Sequence, residues 1–76
     1  ERSGKARICV IHRNVPGMLS RIMPVFAKDR INIENMSNKS VGAIAYSVFD
    51  INSAIDDTIL QEISDLDDVI RVRGLE

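Results

Sequence analysis

The residues best suited to do chemistry lie together in Ile11-His12-Arg13-Asn14-Val15-Pro16-Gly17-Met18-Leu19. An apolar run ends on a histidine, an asparagine follows two residues later, and Pro16-Gly17 opens a segment with helical spacing. Proline suits the first position of a helix, where its missing donor is not needed. Glycine beside it removes the Cβ that would hold a ligand away from the backbone. The N–H groups of Gly17, Met18 and Leu19 then stand free at the positive end of the helix dipole, a place for a carboxylate. His12 donates or accepts according to its tautomer, and Asn14 offers donors and an acceptor without formal charge. Each residue also has a plainer role: a Pro-Gly turn, a histidine satisfied at a strand end, an asparagine shaping its own loop. The pattern suits a polar, uncharged pocket, and no catalytic residue is assigned.

The flanking sequence supplies the elements that must hold this segment. Ala6 to His12 reads as a strand, rich in β-branched residues and apolar on both faces. From Met18 the spacing becomes helical, with Leu19, Ile22, Met23 and Phe26 as the buried stripe. Pro24 interrupts it, removing a donor and crowding the carbonyl of Ser20, so a kink or loosened turn is expected there. Ile31 to Ser40 forms a second, more polar strand, with Asn35 and Asn38 serving the sheet edge or hairpin or else adding polar contacts, and Gly42 turns into a third, Ala43 to Ile51. Asn52 and Ser53 are N-cap candidates for a second helix carrying Ile55, Ile59, Leu60, Ile63 and Leu66 inward. Asp56 and Asp57 favour its positive end. Val69 to Arg73 closes the chain as a strand. The order βαββαβ predicts an α+β, ferredoxin-like domain: a four-stranded antiparallel sheet with two helices on one face.

Composition narrows the possible roles. A chain of 76 residues forms one small domain, 45% hydrophobic and 28% charged, with an aliphatic core because it has no tryptophan, one tyrosine and two phenylalanines. So small a core favours association with a second copy. The net charge is −1, and the basic residues are scattered, which excludes nucleic acid as the main ligand. Cys9, the lone cysteine, reads as a buried thiol, and alone it forms neither an internal disulfide nor a four-ligand zinc site. No run approaches a membrane span and no signal peptide is visible, so a cytoplasmic chain without membrane contact is expected. Residues 1–5 read as a linker from a preceding domain, with the folded unit over residues 6–76.

Beyond composition, the stretch Arg7 to Leu19 resembles the opening of ACT domains, above all those that end the D-3-phosphoglycerate dehydrogenases. The resemblance continues in Ile31-Asn32-Ile33-Glu34-Asn35, in Ala45-Tyr46-Ser47-Val48-Phe49-Asp50-Ile51 and in Val69-Ile70-Arg71-Val72-Arg73. It implies a regulatory module that is not itself an enzyme, binding an amino acid, L-serine by this resemblance, between two domains paired side by side into an eight-stranded sheet. His12, Asn14 and Asn32 fall on the family's ligand-binding positions, with Asn32 reaching over from the neighbouring subunit. Pro16, Gly17, Met18 and Leu19 complete the expected site. The resemblance implies a homodimer and no cofactor in this segment, NAD belonging to the dehydrogenase part of the parent. The sequence departs from the family in three places: Asp29-Arg30 stands where a glycine-containing turn is common, Pro24 bears on the helix start and its carboxylate-binding amides, and Arg13 adds a cation beside the site.

Other roles for the same topology fit less well. An acylphosphatase-like enzyme would need a glycine-rich phosphate cradle, which is missing, and Pro16 removes one of its amides. An RNA-recognition module needs aromatics on one sheet face, whereas Tyr46 and Phe49 point to opposite faces. A metal-carrying ferredoxin needs paired cysteines. An ACT domain that serves only as an oligomerisation element is the alternative that remains.

Overall fold

A computed structural model describes residues 5–75, so the linker expected over residues 1–5 lies, apart from Lys5, outside the described residues. The elements are β1 (Ala6–Arg13), α1 (Met18–Lys28), β2 (Ile33–Val41), β3 (Ile44–Ile51), α2 (Asp57–Ser64) and β4 (Val69–Leu75). The strands form one antiparallel sheet in the order β2-β3-β1-β4. This is the ferredoxin-like arrangement expected from the sequence.

The pleat sorts β1 into two sets. Ala6, Ile8, Val10 and His12 are buried beneath the helices, while Arg7, Cys9 and Ile11 are half-buried on the other face. Both faces of β1 are apolar, but only one is covered, so Cys9 is half-buried instead of enclosed. On β3 the same alternation buries Phe49 and leaves Tyr46 exposed. Ile8, Val10, Phe49 and Ile51 meet Ile22, Phe26, Ile59 and Ile63 in the core, and the rings of Phe26 and Phe49 lie 5.0 Å apart at 48°. On the uncovered face Arg7 holds Asp50 through Nε at 2.7 Å and Nη2 at 3.2 Å. The bond to Asp50 raises the Arg7 pKa above its ordinary value.

The helices depart from the sequence expectation in instructive ways. In α1 the buried residues are Met18, Ile22, Val25 and Phe26, and Met23 is exposed. This rotation of the stripe puts Pro24 on the solvent side, and α1 runs unbroken through it to Lys28. A carbonyl deprived of its partner there is open to water. Helix α2 is capped by Asp56, not by Asn52 or Ser53: the Asp56 carboxylate accepts from the Thr58 N–H at 2.8 Å. Residues 52–56 are instead spent carrying the chain from the sheet up to the helix layer. Ile55 and Leu66 fall outside α2 but still pack against the core.

After α1 the N–H of Ile31 reaches the Phe26 carbonyl and that of Arg30 the Ala27 carbonyl. This is a Schellman ending, which calls for a left-handed residue and favours glycine. Here Arg30 takes that conformation at φ 57°. The turn that is commonly glycine-containing in the resembling family is thus kept in geometry with an arginine in its place.

Candidate functional site

The loop after β1 is pinned by its backbone. Arg13 N–H donates to Asp68 O and Asn14 N–H to Ala43 O, both at 2.8 Å, and Val15 N–H returns to Arg13 O at 2.9 Å. Asn14 Nδ2 donates to the Gly42 carbonyl at 3.2 Å, tying the loop to the β2–β3 hairpin. Gly17 then turns at φ 82°, ψ 6°, in the left-handed region that an L side chain resists. This conformation explains the glycine: a Cβ placed there would meet nothing within 4 Å, so space is not the constraint.

The helix begins at Met18, which corrects the expected start by two residues. Pro16 sits in the turn before the helix and not at its first position, because left-handed Gly17 occupies the N-cap. The free first-turn donors are therefore those of Met18, Leu19 and Ser20 in place of Gly17, Met18 and Leu19. The N-cap has no side-chain hydrogen bond. These amides open on a cavity of about 270 Å³ between the loop, the start of α1 and the end of the sheet. Just below the range for drug-sized ligand pockets, roughly 300–1,000 Å³, it matches a metabolite of amino-acid size.

Of the residues expected at the site, His12, Asn14, Gly17, Met18 and Leu19 line this cavity, with Val15, Ser20, Asn38 and Ala45 added. Pro16 and Asn32 do not: Pro16 only shapes the turn before the helix, and Asn32 lies in a separate hollow with Asn52 and Ser53. The register explains why. Ile33 and Ala6 both pair with Ile51, so Asn32 lies at the opposite end of the sheet from His12, about 20 Å away by strand rise.

His12 is only 3% exposed, and both ring nitrogens already have partners: Nδ1 faces Arg13 O at 2.9 Å and Nε2 faces Ser47 Oγ at 2.8 Å. Asn38 Nδ2 donates to the same Oγ at 2.7 Å. Asn38 was expected to serve the sheet edge, and Ser47 was not singled out at all. Their signal is in strand register: Asn38 pairs with Ser47, and Ser47 with Val10, two residues from His12.

Among the described residues no group of histidine, cysteine, aspartate and glutamate is placed to hold a metal ion. No helix among them is long and apolar enough to cross a membrane.

The family model for an AHAS small subunit-like ACT domain matches residues 8–71. The chain is 34% identical over 67 residues to a probable L-serine dehydratase beta chain of Bacillus subtilis, covering 86% of this chain and 30% of that protein. It is 29% identical over 75 residues to the D-3-phosphoglycerate dehydrogenase of Haemophilus influenzae, covering 99% of this chain and 18% of that one. The chain thus spans less than a third of the length of either relative. Among solved structures, the ACT domain from the GTP pyrophosphokinase of Chlorobium tepidum shares the fold with a TM-score of 0.76 at 22% identity, covering 92% of this chain and 95% of that one. The regulatory subunit of aspartate kinase from Thermus thermophilus does so with 0.77 at 14% identity, over 93% and 50%.

Proposed function

The chain belongs to the ACT-domain family, and from that premise we propose that it is the regulatory, amino-acid-binding part of a serine-pathway enzyme, with L-serine as effector. The observation that carries the reading is the cavity where the uncapped amides of α1 meet His12 and Asn14. The amides receive the carboxylate, and the uncharged Asn14 amide, beside a His12 ring already held by its own partners, takes the rest of a zwitterion without adding net charge. Both curated relatives favour serine metabolism: one is named for L-serine itself, the other is a D-3-phosphoglycerate dehydrogenase. A dehydrogenase of the second kind is the preferred parent. NAD would then belong to its catalytic part, and this domain would hold no cofactor.

The position of Asn32 supports a side-by-side pair. Strand β2 is a sheet edge and is exposed along nearly its whole length. An antiparallel pairing of two β2 strands centred on Ser37, the midpoint of Ile33–Val41, sets position 32 of one copy opposite position 42 of the other. Gly42 is the residue whose carbonyl Asn14 already holds. Such a two-fold would bring the partner's Asn32 beside the cavity, at the end of the sheet that its own chain denies it. Binding across such a pair tightens the dimer, because a ligand that prefers the assembled state stabilises it. Regulation would pass through subunit orientation, a rigid-body change.

Calorimetric titration with L-serine and a panel of other amino acids tests the proposal. Saturable binding of serine is expected, weakened by about 1–3 kcal/mol in His12→Ala and in Asn32→Ala, the range for a lost buried hydrogen bond. Flat traces across the panel with a folded dimer would overturn it and leave oligomerisation as the role of the domain.

A further inference from the structure

The cavity floor carries a hydrogen-bond chain whose direction can be worked out. His12 Nδ1 faces the Arg13 carbonyl, which only accepts, so Nδ1 holds the ring proton. The neutral ring then accepts at Nε2, and the single hydroxyl proton of Ser47 must be donated there. Ser47 Oγ is left to accept, which requires Asn38 to turn its Nδ2 inward. The Asn38 carbonyl oxygen is thereby left to the cavity. Ser47 is fully buried, so water does not relax this order.

Asn14 is oriented in the same sense. Its Nδ2 is tied to Gly42 O, and its carbonyl oxygen is left over. The cavity therefore has backbone donors on the α1 side and two oriented amide oxygens on the other. Donors match a carboxylate, and neutral acceptors match a group with only protons to give.

We infer that Asn38, together with Asn14, forms the subsite for the α-ammonium group of the ligand and makes the cavity selective for α-amino acids over the corresponding hydroxy acids. Ser47 and His12 are positioning residues that fix the Asn38 amide. The inference rests on the proposed reading of this cavity as an amino-acid site.

The experiment is calorimetric titration of the chain with L-serine and with D- and L-glycerate, the hydroxy acids of the same skeleton. The wild type is expected to take serine and refuse glycerate. Asn38→Leu should weaken serine about tenfold or more while leaving glycerate no better than before. Ser47→Ala should bind serine more weakly, and Ser47→Thr, which keeps the hydroxyl, should restore the affinity. If wild type binds serine and Asn14→Ala weakens it, but Asn38→Leu binds as wild type, the Asn38 subsite is refuted while the site stands. Wild-type affinity in Ser47→Ala, or no rescue in Ser47→Thr, refutes the positioning role of Ser47. No serine binding by wild type refutes the underlying reading instead.

Discussion

Replacing Arg30 with glycine should stabilise the domain, although it removes a side chain and adds flexibility. Arg30 ends α1 at φ 57°, with the two backbone bonds of a Schellman turn around it. A non-glycine residue in that conformation is strained by roughly 1–2 kcal/mol. Glycine relieves the strain but raises the entropy of the unfolded chain, an offset of about 0.4–1 kcal/mol. The net gain is about 0.5–1 kcal/mol, or about 2–8 °C in Tm at the 4–8 °C per kcal/mol of a domain this size. Thermal and urea unfolding followed by circular dichroism would measure it. Arg30→Ala is the control, because alanine keeps the strain and loses the guanidinium. A gain in alanine equal to that in glycine would show that the side chain, not the backbone, was unfavourable. Loss of stability in Arg30→Gly would refute the argument outright.

Other substitutions report on neighbouring features. Gly17→Ala should cost about 1–2 kcal/mol through its φ of 82°, with Gly17→Asn recovering part of it in urea unfolding. Asp56→Ala should cost about 1 kcal/mol as a lost N-cap, whereas Asn52→Ala should leave helix α2 unaffected by amide exchange. Gly74→Ala should destabilise by about 1–3 kcal/mol, because its Cβ would fall 2.7 Å from Ile55 Cδ1, and adding Ile55→Val should reduce that penalty in a double-mutant cycle. The Lys28 pKa is raised by its hydrogen bond to Glu62. That pair is therefore stabilising through neutral pH and is lost as pH rises past the lysine range. The Tm difference between wild type and Lys28→Met should shrink in alkali.

The topology was legible in the sequence because local signals agreed with the tertiary structure: alternation in β1 and β3, helical spacing after Gly17, and turn residues at Gly42. Caps were less legible, since several good candidates stood in a row. Asn52, Ser53 and Asp56 are all suitable, and only the crossing from sheet to helix layer selects Asp56. The phase of α1 was misread at Met23 because apolar residues outnumber the positions the sheet can cover. At the site, the residues contiguous in sequence were found together. Asn38 and Ser47 were not, because their partnership with His12 is made by register across three strands. His12 offered two readings, a ligand contact and a histidine satisfied at its strand end, and the structure shows the second, with both nitrogens engaged within the chain.

The central claim, an amino acid seated between the loop and the start of α1, is tested most directly by following backbone and side-chain amide resonances during titration with L-serine. Saturable shifts are expected at Asn14, Gly17 to Ser20, the Asn38 side chain and Ala45, with Asn32 joining them in the dimer. Shifts confined to the hollow around Asn52 and Ser53, or none at all at saturating serine, would contradict it.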